Sequence, residues 1–282
     1  MELGLFRAAF ALYAVAASLA FAYLTSREES LTLWMWRLLG VALAAHALSF
    51  SARFDAFWSF PENRFFLPAN TFFGVLSWLA LANALVFWIV EGLARLHLLG
   101  AFVLPWTVLA MGAALLWADP SVGALTPELR SHWLNVHPLL LMACYAGFAN
   151  AFGVGLAYLV QERQIKSRKP SQLCYRLPAL EELDRIHFRI IAACLPVLTV
   201  GIAMGGVWAH RVWGRYWSWD AKEVWTAVTW LCYAAFLALR RSGGLRGRKA
   251  VFVAMTGFAT VLFAVFAVNR LSLRHGYLSR YR

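Results

Sequence analysis

A chain of 282 residues that is 61% hydrophobic and 14% charged carries roughly half the charged fraction of a soluble domain, which excludes a water-soluble globular protein. Its formal net charge of +12 sits on no free-standing basic domain, so nucleic acid is excluded as a partner and membrane topology is the better reading of the charge. Apolar runs of about 20 residues without strand-like alternation exclude an outer-membrane barrel and predict an all-α, polytopic integral membrane protein in the lipid bilayer.

Eight transmembrane helices are predicted, at roughly 4–24, 33–52, 67–90, 97–117, 134–160, 188–208, 223–240 and 250–269, forming one membrane domain over 1–282. The first begins almost at Met1, and no small-residue cleavage site followed by polar sequence comes after it. It is therefore expected to be a retained helix, not a signal peptide. The connections 161–189 and 240–249 are rich in Arg and Lys. By the positive-inside rule both face the cytoplasm of the cell inner (cytoplasmic) membrane. Both termini, the connections 53–66 and 118–133, and the connection after the sixth span then lie on the outer side. Cys144, Cys174, Cys194 and Cys232 form no C-x-x-C pair and no C-x-x-C-H. Paired-cysteine metal sites, thioredoxin-like chemistry and a covalently attached c-type haem are thereby excluded.

The sixth connection reads GGVWAHRVWGRYWSWDAKEVW, residues 205–225. Trp and Tyr gather at bilayer interfaces, and that accounts for the isolated tryptophans elsewhere. It does not account for Trp208, Trp213, Trp217, Trp219 and Trp225 with Tyr216 in one short stretch. Asp220 to Glu223 reads D-x-x-E ahead of an apolar helix, the pattern of a capping box, with Asp220 capping and Glu223 reaching back to the Asp220 amide. Gly205, Gly206 and Gly214 let the chain turn and admit a flat partner. Indole faces stack on extended π systems. A porphyrin and a quinone both qualify, and the aromatics alone do not choose between them.

Histidine is the commonest axial ligand of a protein-held haem. The chain has His46, His97, His132, His137, His187, His210 and His275. His97 and His187 fall near cytoplasmic span ends and read as interfacial. His137 is expected to open the fifth helix, with Pro138 in a position suited to its first turn. His275 follows the last span. These two could flank the tryptophan-rich connection and clamp an iron, with Arg211, Arg215, Arg270 or Arg274 meeting the propionates. The alternative reading makes them interfacial residues only. His46, ionisable within the second span, is a candidate for a separate internal site.

The stretch from Gly205 to Glu223 resembles the WWD signature of the haem-handling proteins of cytochrome c assembly. It is most similar to the CcsA (ResC) branch, whose motif runs G-G-x-W-A-x-x-x-W-G-x-Y-W-x-W-D-x-K-E. The segments SHWLNVHPLLLMACYAGF, LDRIHFRIIA and VNRLSLRHGY are similar to further segments of that family, and the resemblance covers about residues 70–278. It implies a protein that binds haem b non-covalently and presents it at the outer face to an apocytochrome c with C-x-x-C-H. It also implies movement of haem across the membrane and a CcsB (ResB)-like membrane partner, together forming a holocytochrome c synthase (haem lyase) complex. The implied haem-iron ligands are His137 and His275. The implied binding residues of the WWD region are Trp208, Trp213, Gly214, Trp217, Trp219 and Asp220. Ala238 stands where the family places a membrane-embedded histidine, which puts a second haem site in doubt. That same absence resembles the HemX group, membrane regulators of tetrapyrrole synthesis, which is the first alternative. A quinone-binding redox subunit is the second.

Overall fold

The computed structural model describes residues 1–26, 28–94, 96–167 and 171–268. Among them the regular structure is helical, with no strand. In chain order the helices are α1 (Glu2–Thr25), α2 (Ser30–Trp58), α3 (Phe72–Ala94), α4 (Gly100–Trp117), α5 (Trp133–Lys166), the short α6 (Gln172–Arg176), α7 (Leu180–Trp213), α8 (Ala221–Arg241) and α9 (Arg248–Phe263). A π turn over Ala264–Val268 continues α9.

The eight long helices take up the eight predicted spans. Seven are long and apolar enough to cross a membrane. The other, α8, has 21 residues, about 31 Å at 1.5 Å per residue, which matches a hydrocarbon core in length although the helix is less apolar than the seven. Its charges stand only at its ends, Lys222 and Glu223 at one and Arg240 and Arg241 at the other. Several helices run past their predicted limits, α2 to Trp58 and α7 from Leu180 to Trp213. Apolarity marks only the part of a helix inside hydrocarbon. Leu183, His187 and Ile191 are buried at four-residue spacing on α7, so an amphipathic face carries the helix on beyond the apolar run.

Lipid supplies no hydrophobic drive between helices, so close approach of small residues must hold them. Ala9, Ala16 and Ala20 of α1 and Ala80 and Ala84 of α3 are fully buried. Helix α1 lies against α2 and α4, α5 against α3, α7 and α9, and α8 against α7 and α9. Buried amides add cross-links. Asn150 donates to Asn83 Oδ1 at 2.9 Å, and Asn83 donates to Thr107 Oγ1 at 2.9 Å, tying α5, α3 and α4 together.

One end of the bundle carries the connections 59–71, 118–132 and 214–220, and polar ties close it. Arg53, its side chain 2% exposed, donates to Glu2 Oε1 at 2.6 Å, the Pro120 carbonyl at 2.9 Å and Thr71 Oγ1 at 3.0 Å. Asn63 donates to the Phe57 and Gly123 carbonyls and accepts from the Leu125 amide at 2.7 Å. Asn135 donates to the Phe65 carbonyl and accepts from the Leu67 amide. Under these ties lies a small apolar cluster apart from the main core, in which Phe57, Leu125, Leu129, Trp208 and Ala209 are buried.

Candidate functional site

Helix α7 ends at Trp213 because Gly214 takes left-handed backbone angles, φ 70° and ψ 11°, and its N–H bonds the His210 carbonyl at 2.9 Å. Glycine adopts that conformation at no side-chain cost. Trp219 has φ 60°, which for a residue with a Cβ stores about 1–3 kcal/mol of strain. Asp220 then caps α8 as expected, accepting from the Lys222 amide at 3.0 Å. Glu223 departs from the expected capping box. It accepts from the Ser218 amide at 2.7 Å and from the Ser218 hydroxyl at 2.9 Å. The left-handed Trp219 between Ser218 and Asp220 turns the chain so that Ser218 lies over the first turn of α8. The box therefore closes two residues earlier than the pattern says.

Beneath this connection is a cavity of about 460 Å³, within the range of small-molecule sites, roughly 300–1,000 Å³. His137 of α5, Trp208 of α7, Trp217 of the connection, Lys222 of α8 and Val265 of the π turn all line it. Helix α5 begins at Trp133, with His132 in the capping position. His137 and Pro138 thus lie in its second turn, one turn deeper than expected. Pro138 has no N–H to donate within the helix.

Among the described residues, one hydrogen bond holds the His137 ring. Its Nδ1 lies 2.7 Å from the Gly201 carbonyl. A carbonyl only accepts, so Nδ1 carries the proton and Nε2 keeps its lone pair. No described residue hydrogen-bonds Nε2. The ring lies close against α7 because residue 205 is glycine; a Cβ there would sit 2.8 Å from His137 Cε1. A Cβ at Gly201 would sit 2.9 Å from Leu141 Cδ2. Gly201 and Gly205 form a G-x-x-x-G pair, a spacing that lets membrane helices approach closely. Gly201 is absent from the site read out of the sequence, although this spacing is a readable signal for it.

The remaining candidates fall around the cavity or away from it. Trp208, 4% exposed, meets the edge of Trp213 at 4.9 Å, and both belong to the small apolar cluster. Trp219 is 79% exposed and meets the edge of Trp217 at 5.7 Å. Trp213, Gly214, Trp219 and Asp220 thus build the connection without lining the cavity. Trp225 packs on Phe263 at 4.3 Å. The Arg211 guanidinium lies over Trp133 at 5.1 Å, Arg215 is exposed, and neither lines the cavity. His275, Arg270 and Arg274 lie outside the described residues.

His46 is far from this arrangement. It is wholly buried, with Nε2 3.0 Å from Ser77 Oγ and Nδ1 3.4 Å from Tyr13 Oη. Its ring stacks on Phe50 and meets Phe6 edge-on. His187 is not the interfacial residue expected from its position: it is 1% exposed and faces Phe236 edge-on. His97 pairs with the buried Glu91. Among the described residues no group of three or more His, Cys, Asp or Glu is placed to hold a metal ion.

Fold and site together define a multi-pass membrane protein with an aromatic-walled cavity at one end of its helix bundle. Residues 69–275 match the family described as cytochrome c assembly protein, and the chain belongs to that family. It is 32% identical over 253 residues to the cytochrome c biogenesis protein CcsA of Gloeothece citriformis, covering 73% of this chain and 77% of that protein. It is 36% identical over 174 residues to CcsA of a Synechococcus strain, covering 54% of this chain and 57% of that one. Among solved structures it is similar to the cytochrome c heme lyase CcmF, with a TM-score of 0.68 at 19% identity. That likeness is one of fold. It takes in all of this chain and 51% of CcmF, so this chain spans about half the length of that protein. Membership of the family assigns the chain a role in cytochrome c maturation, with apocytochrome c and membrane partners.

Proposed function

We propose that the chain binds haem b non-covalently in the cavity between α5, α7 and α8 and presents it to an apocytochrome c carrying C-x-x-C-H. In this reading the cavity opens at the outer face of the inner membrane, with both termini on that side. Haem reaches it after crossing the membrane, and a CcsB (ResB)-like protein completes a holocytochrome c synthase complex. His137 and His275 are the axial ligands. His46 is left out, because both its ring nitrogens already have partners.

One observation carries the reading: an imidazole whose Nδ1 is fixed to a main-chain carbonyl, beside an aromatic-walled cavity. Haem proteins prepare a ligand in this way, since the bond on one nitrogen orients the ring and raises the basicity of the other. A quinone can use the aromatic walls but has no metal to engage that lone pair.

Each group has a separate task. The Gly201 carbonyl sets the tautomer of His137, and Gly205 gives its ring room. Trp208, fixed by Trp213, forms a rigid wall. Trp217 stands at the edge, where it can yield as cargo leaves. The Glu223–Ser218 bonds hold the connection over the cavity. Bound haem supplies its vinyl groups to the cysteine thiols of the acceptor. The chain supplies orientation and shelter from water.

The test is the absorption spectrum of the purified protein, oxidised and reduced. A Soret band is expected, and His137→Ala and His275→Ala should each diminish and shift it. Extracted quinone without a Soret band would overturn the reading.

A further inference from the structure

We infer that Lys222 sets the rotation of the porphyrin in this cavity by pairing with one of its carboxylates; the inference rests on reading the cavity as the haem site. A metalloporphyrin on an imidazole is fixed at its centre, and aromatic walls fix its plane. Neither decides how it is turned about the metal–nitrogen axis. The molecule has one edge bearing two carboxylates and an opposite edge that is apolar. A single cation on the wall can therefore choose the orientation, and burying a carboxylate without a partner is costly.

Among the described residues, the charged side chains that line the cavity are Lys222 and Glu223. Both oxygens of Glu223 already accept from Ser218. Among the described residues Lys222 is the only lysine or arginine on the wall. It lines the same cavity as His137, so ammonium and ligand share one space. Asp220, two residues before Lys222, caps the first turn of the same helix. Arg211 and Arg215, the described residues that sequence position suggests for this task, are both exposed and away from the cavity.

The carboxylate edge is thereby held against the start of α8, and the vinyl-bearing edge is turned from it. Lys222 is a positioning residue: it would set which edge reaches an acceptor without touching a reacting atom.

The experiment uses the purified full chain in detergent, titrated with ferric protoporphyrin IX and with its dimethyl ester. The wild type should bind the diacid about tenfold tighter than the ester, the scale of a hydrogen bond to a charged group. Lys222→Met should remove the preference by weakening the diacid alone, and Lys222→Arg should keep it. The side chain can change without loss of the helix start, because Asp220 caps the Lys222 main-chain N–H. Equal binding of diacid and ester by the wild type overturns the inference, as does a preference that survives Lys222→Met. If the wild type binds neither porphyrin, the haem-site reading falls as well.

Discussion

His137 on α5 and His46 on α2 are the same residue in similar apolar helices, and the fold treats them oppositely. His46 has partners at both ring nitrogens, from Ser77 and Tyr13, and is sealed by Phe6 and Phe50. Among the described residues His137 has one hydrogen-bond partner, the Gly201 carbonyl, and its ring opens on a cavity. In hydrocarbon an imidazole with two bonds is a structural cross-link between helices. An imidazole with one bond and a void beside it is free to serve as the metal ligand that we propose. The difference lies less in the histidine than in its neighbours. Glycines 201 and 205 hold the ring to one side, and large aromatics stand back from the other.

The contrast breaks most sharply at the ligand. His137→Ala should lower haem recovered per chain by more than about tenfold, since losing even an outer-shell partner of a metal ligand costs about 10- to 100-fold. Pyridine haemochrome assay of the purified protein measures this. Haem content equal to wild type would make His137 another cross-link like His46 and end the comparison.

A smaller loss is expected when the ligand stays and its seat is disturbed. Gly205→Val places carbon where 2.8 Å separates a Cβ from the imidazole, so the ring must rotate off the Gly201 carbonyl. Haem should be retained in part, with a shifted Soret maximum, and affinity should fall by about tenfold. An unshifted spectrum would show that the ring is not held by α7. Smaller again is Glu223→Ala, which removes the two bonds to Ser218 and frees the connection. Each such bond is worth about 1–3 kcal/mol. The expected result is faster haem release in stopped-flow transfer to apomyoglobin, with the bound spectrum unchanged.

The eight long helices are legible in the sequence because crossing hydrocarbon demands about 20 apolar residues and little else produces them. Their ends are not, because α7 continues on an amphipathic face past its apolar run. The tryptophan cluster, His137 and the Asp220 cap are legible from motif and spacing. The partner of Glu223 is not, since it depends on the backbone turn at Trp219. Nor are Arg53, Asn63 and Asn135, whose ties join segments about 50 to 70 residues apart. The arginines near the motif draw attention by charge, yet only the fold shows that Lys222 is the described cation that shares the cavity wall with His137.

The smallest expected effect on haem is the most informative control. His46→Leu keeps the bulk of the ring site but leaves Ser77 Oγ and Tyr13 Oη without their partner, at a cost of about 1–3 kcal/mol for each buried group. The thermal midpoint of the purified protein should fall. Haem per folded chain and the Soret maximum should match wild type, because nothing in the His46 cluster touches the cavity. A loss of haem that exceeds the loss of folded protein would instead couple the two halves of the bundle, through α3, whose Ser77 bonds His46 and whose Val75 lies on the cavity wall. Double substitution with Ser77→Ala separates the cases. A purely structural cross-link predicts that, once Ser77 is gone, His46→Leu costs less than it does alone and only the Tyr13 bond is left to lose, and a haem effect that persists in the double variant assigns His46 a role beyond packing.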